Sequence, residues 1–136
     1  WGFSSDRRNE RRRHFIAAAC VSAIGFAAAA WLRESFWGIA AMSVATIGLY
    51  ASRPAFWPMP SMFLSGAAAA AGIALINSIG NLGGYVGPFI VGWIKESTKS
   101  FEMALYFLAA CALTSAAIAY FAKGMLETRE PEPTAK

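Results

Sequence analysis

Asn77, Asn81, Gly84 and Pro88 recur at i, i+4, i+7 and i+11, the spacing of one helical face. They lie within 41 consecutive residues, Pro54–Ile94, that hold no Asp, Glu, Lys or Arg. A carboxamide both donates and accepts hydrogen bonds, and facing hydrocarbon it would lose them at a large cost in free energy. This face must therefore meet protein or water. Pro88 leaves the Gly84 carbonyl without its helical donor, which is tolerated at membrane depth where backbone lines a cavity or meets a partner. A second pair, Arg53 and Trp57, is four apart and again on one face, with Pro54 between. Facing water, a guanidinium can hold a carboxylate by two parallel hydrogen bonds, while the indole adds an apolar wall and an N–H donor. Plainer roles fit the same residues: the arginine snorkels to the interface, and Asn and Gly act as packing contacts between helices.

These residues can bind but are not equipped to react. The only histidine, His14, stands at the edge of the first apolar run. No Ser/His/Asp, Cys/His or paired-carboxylate group falls within the apolar segments, so the chain does not read as an enzyme. Cys20 and Cys111 sit in different apolar runs, where they read as small packing residues. They offer neither a disulfide framework nor metal-ligand spacing, and no cofactor is expected.

The elements that must position the two faces follow from where charge is missing. Of the 136 residues 57% are hydrophobic and only 15% charged, well below the charge content of a soluble domain. Apolar runs cover Phe15–Leu32, Ser35–Ser52, Pro54–Ile94 and Met103–Ala122. A bilayer core of roughly 30 Å takes about 20 such residues as a helix, so the 41-residue run must be broken, and Pro58 and Pro60 lie near its start. The expectation is an all-α membrane protein with four transmembrane helices at 15–32, 36–60, 67–94 and 103–122. Residues 1–14 form a basic loop following the end of a preceding helix, and 123–136 a charged, proline-rich disordered tail. Glycines at Gly80 and Gly84, and at Gly83 and Gly87, place bare backbone on adjoining stripes of the third span, where another helix can approach.

Nine of the twelve basic residues fall on the side of the two termini when Arg53 is assigned there, against Arg33, Lys95 and Lys99 opposite. The positive-inside rule then places both termini in the cytoplasm. The basic run Arg7–His14 joins an apolar span directly, so it reads as an anchor at the lipid bilayer, with no nucleic acid as partner. The chain opens on Trp1 without an initiator Met, and is expected to be part of a longer protein.

The string FLSGAAAAAGIALINSIGNLGGYVGPFIVGWIKESTKS closely resembles the eleventh transmembrane helix and following loop of major facilitator superfamily transporters. The similarity is strongest to the anion:cation symporter family of tartrate, phthalate, hydroxyphenylacetate and galactonate permeases. GFSSDRRNERRRH resembles the basic motif between helices eight and nine of that superfamily, matching at Gly2, Asp6 and Arg7. The resemblance implies that the four spans are helices nine to twelve of a twelve-helix protein, in its C-terminal six-helix half, with the first eight helices as missing partners. It implies substrate contacts at Trp57 and Asn77, with Asn81 and Arg53 as neighbours, although arginine is not a fixed feature of the family at that place. It assigns Asp6 and Arg7 to a cytoplasmic clamp. The implied activity is secondary active transport of a small organic anion by alternating access in the bacterial inner membrane, the third-span glycines and Pro88 letting the helix bend. The coupling ion, H+ or Na+, would bind outside this segment, since no Asp or Glu lies within a span. Two other readings stay open: a non-transporting four-helix membrane scaffold, and a small multidrug exporter, which the lack of an intramembrane acid disfavours.

Overall fold

Runs of alanine and leucine are strong helix formers. The computed structural model of the protein, which describes residues 11–32, 35–60 and 64–122, contains four long helices: α1 (Arg11–Leu32), α2 (Phe36–Phe56), α3 (Gly66–Thr98) and α4 (Phe101–Phe121). No strand occurs among the described residues. The architecture is all-α. Gly2, Asp6, Arg7, Arg33, Glu34 and the tail from Lys123 lie outside the described residues.

Three helices, α1, α3 and α4, are long and apolar enough to cross a membrane. α2 equals α4 in length at 21 residues but is interrupted by Ser43, Thr46, Ser52 and Arg53. Its hydroxyls are matched within the helix: Ser43 donates to the Ile39 carbonyl at 3.0 Å, Thr46 to Met42 at 2.9 Å and Ser52 to Leu49 at 2.7 Å. Such back-bonding spares a hydroxyl the cost of facing lipid unpaired. Large apolar side chains point outward on every helix, among them Trp31, Phe36, Tyr85, Phe89 and Phe121, each more than 70% exposed. That surface belongs in a bilayer, and the protein is an integral membrane protein.

The helix ends differ from the hydropathy boundaries. α1 starts at Arg11, four residues ahead of the apolar run, and α3 carries on to Thr98 through Lys95 and Glu96. α2 stops at Phe56, short of the expected residue 60, because Pro58 and Pro60 supply no amide hydrogens to continue the ladder. Ser35 caps α2, accepting from the Gly38 amide at 3.3 Å and donating to the Leu32 carbonyl at 2.8 Å, which ties the end of α1 to the start of α2. Ser100 caps α4 through the Glu102 amide at 3.2 Å.

α1 is the central helix, packed along α2 and α4. Its contact with α2 is made of small residues: Ala18, Ser22 and Gly25 oppose Ala45 and Gly48, all buried. A Cβ at Gly25 would sit 2.5 Å from the Ala45 nitrogen, and one at Gly48 would sit 2.6 Å from the Ser22 nitrogen. The two backbones therefore touch, close enough for the Ser22 hydroxyl to donate to the Ala45 carbonyl at 2.6 Å. Ser22→Ala should lower the stability of the α1–α2 pair by about 1 kcal/mol, the usual worth of an interhelical hydrogen bond in a membrane protein; thermal unfolding in detergent would measure it. On the other side, Ala29, Ala30 and Phe26 of α1 meet Leu105 and Leu108 of α4 and Met42 of α2.

α3 stands apart. It touches mainly α4, has no buried residue in 33, and runs as one helix through Pro88. Its length is about 50 Å at ~1.5 Å per residue, more than a bilayer core requires. Gly80, Gly83, Gly84 and Gly87 have nothing within 4 Å of the place a Cβ would occupy. Among the described residues the close helix approach is thus at Gly25 and Gly48, while the α3 stripes stay open.

Candidate functional site

The residues singled out from the sequence fall on two helices that share no extensive contact. Arg53 lies in the last turn of α2, exposed, with its guanidinium carbon 4.9 Å from the centroid of the Tyr50 ring. A cation over an aromatic face is held by the ring without a hydrogen bond, so the N–H donors of Arg53 stay available. Trp57 caps the same helix: its amide donates to the Arg53 carbonyl at 3.1 Å, and the residue is 42% exposed. Its ring stands edge-on to Phe56, centroids 5.9 Å apart, and Phe56 in turn meets Phe15 of α1 at 5.8 Å. This aromatic relay fixes the end of α2 against the start of α1.

Asn77 and Asn81 occupy the middle of α3, one turn apart and exposed. Neither amide meets a hydrogen-bonding partner among the described residues, whereas the neighbouring Ser78 hydroxyl donates to Ala74 at 2.9 Å. Flanked by Leu75, Ile79 and Leu82, each 62% exposed, the two carboxamides form a polar strip on an otherwise apolar helix. The arrangement can bind through a cation, an indole and two amides. No group of three or more His, Cys, Asp or Glu that could hold a metal occurs among the described residues.

Cavities among the described residues lie elsewhere. One, of about 710 Å3, sits where α1 ends and α2 and α4 begin, between Ala29, Gly38, Met42 and Leu105. Its hydroxyls, Ser35, Ser43 and Thr46, each donate to a backbone carbonyl, Leu32, Ile39 and Met42 respectively. Another, of about 470 Å3, lies at the opposite end between Phe15, Phe56, Pro60, Ile76 and Ala119. Neither is lined by Arg53, Trp57, Asn77 or Asn81, although Phe56 and Ile76 are their immediate neighbours in sequence. Sequence reasoning missed this second groove. The available signal was Phe15 two residues after Arg13, which marks an apolar side chain at a charged helix end.

Similarity to known proteins covers most of the chain. It is 51% identical over 116 residues, 85% of its length, to a "Putative tartrate transporter" of Agrobacterium vitis. It is 41% identical over 129 residues, 95% of its length, to a quinolone resistance transporter of Acinetobacter baumannii. It is 34% identical over 116 residues, again 85%, to the inner membrane transport protein RhmT of Escherichia coli. The chain spans only 26%, 30% and 27% of these relatives, respectively. No family profile and no solved structure matches it.

Proposed function

Because this chain is homologous to transporters of the major facilitator type over most of its length, we propose that it forms part of a secondary active transporter for a small organic anion, such as a dicarboxylate, a sugar acid or an aromatic acid. Transport proceeds by alternating access, with coupling to H+ or Na+ at a site outside these four helices. The first eight helices of the whole protein supply the opposite wall of the passage, and both termini of this segment face the cytoplasm of a bacterial cell.

The observation that carries this reading is the α3 strip. Two amides stand exposed and unpartnered among the described residues, midway along an apolar helix, in a chain whose relatives are named as transporters. An amide at membrane depth needs water, protein or a solute. Trp57 and Arg53 supply the groups that a carboxylate would add: an apolar wall and a cation. The name of the Agrobacterium relative supports a dicarboxylate.

Uptake of labelled tartrate and a panel of other organic acids, by cells expressing the full-length protein, tests the proposal. Arg53→Gln should raise KM for a dicarboxylate about ten-fold, the lower range for loss of a charged hydrogen bond, and Arg53→Lys should restore part of it. No accumulation of any tested acid would leave the scaffold reading. A second direction is favoured by the Acinetobacter relative, whose name implies resistance to quinolones. Efflux from preloaded vesicles should therefore be measured beside uptake.

A further inference from the structure

The groove of about 470 Å3 at the end where α1 begins is almost wholly carbon. Its one hydroxyl, Ser115, is satisfied by the Cys111 carbonyl at 3.0 Å. It therefore offers nothing to a polar solute, and its occupant must be hydrocarbon. Its mouth is charged. Phe15 lines the groove, and Arg12 lies three residues before it, on the same face of α1. The Arg12 guanidinium reaches across to donate to the Tyr120 carbonyl at 3.0 Å, between Ala119 and Ala122, both of which line the groove. This bond fixes a cation at the rim and uses one of several N–H donors, leaving others to form a bidentate pair with a phosphate.

We propose that this groove binds an anionic phospholipid, with one acyl chain against Phe15, Phe56, Pro60, Ile76, Ile118 and Ala119 and the headgroup phosphate on Arg12. Charge complementarity selects this occupant. A transmembrane helix without an acidic residue at its end could fill the carbon-lined space but brings no anion to the guanidinium, whereas anionic lipids concentrate where basic residues meet the membrane surface. The bound lipid joins α1, α2, α3 and α4 at one end. The site is independent of the transported solute.

Native mass spectrometry of the whole protein, purified from cells and delipidated, tests it with dioleoyl phosphatidylglycerol against dioleoyl phosphatidylcholine. The wild type should retain phosphatidylglycerol about five-fold better, the effect of about one basic side chain at a membrane surface. Arg12→Gln should remove that preference, and Arg12→Lys should keep most of it. Ala119→Trp and Ile76→Trp, which fill the groove from α4 and from α3, should each reduce the retained lipid. Equal retention of the two lipids by the wild type, or an unchanged preference in Arg12→Gln, would overturn the proposal. So would full retention in whichever of the two groove-filling variants accumulates in the membrane. Loss of membrane insertion in the groove-filling variants, together with equal lipid retention by the wild type, would identify a protein segment as the occupant.

Discussion

Asn77→Ala is expected to lower the transport efficiency of the whole protein by about ten- to hundred-fold while the amount of protein in the membrane stays the same. The magnitude is that of one or two hydrogen bonds to a charged ligand, each worth ~1.5–3 kcal/mol. The unchanged membrane level follows from position. Asn77 is exposed and makes no hydrogen bond among the described residues, so its removal leaves no group of this segment unpaired. Asn81→Ala, one turn further along the same face, should have a smaller effect in the same direction. Initial rates with labelled substrate, normalised to immunoblotted protein, give the comparison. A rate equal to wild type would remove Asn77 from the solute pathway.

Gly48→Val should have the largest effect on stability, at about 3 kcal/mol or more, above the usual range for overpacking. Even a single carbon there would lie 2.6 Å from the Ser22 nitrogen and 2.8 Å from the Ala18 carbonyl. Both are backbone atoms, so α1 and α2 must separate. Separation also breaks the 2.6 Å bond from Ser22 to Ala45. Loss of folded protein from size-exclusion chromatography, or a sharp drop in thermal midpoint, would register it. Gly83→Ala provides the contrast, since the added carbon meets nothing within 4 Å in this chain. Any loss caused by Gly83→Ala would report a partner that covers α3 from outside the segment, as the resemblance to a twelve-helix carrier implies.

Several features of the fold were legible because they rest on composition. The charge-free runs identify membrane helices, and proline identifies the break after α2. The helix ends were less so, for a physical reason. Hydropathy marks where side chains enter lipid, whereas helix ends are set by hydrogen bonding, and Arg11–His14 and Lys95–Thr98 are as helical as the apolar residues next to them. The tightest packing was hidden for a different reason. Glycines four apart stand out in α3, but in α1 the small contact surface is Ala18, Ser22 and Gly25, set among so many alanines that no stripe is distinguishable. Only the partner helix shows which face is used. The candidate binding residues were legible as types, because an amide or a guanidinium in an apolar run needs an explanation. Their arrangement was not, since α2 and α3 meet too little within this segment to bring Arg53 and Trp57 against Asn77.

The central claim is that Trp57 and Asn77 look into a water-filled passage. Trp57→Cys and Asn77→Cys, each made in the whole protein after Cys20, Cys111 and every cysteine outside these 136 residues are replaced by alanine, place a single thiol at each position. Labelling by a membrane-impermeant maleimide, in right-side-out and inverted vesicles, with and without a transported acid, reads the exposure directly. The account predicts that both thiols react, that their rates differ between the two vesicle orientations, and that the solute slows labelling. Thiols that stay unreactive from either side, with or without the acid, would contradict it.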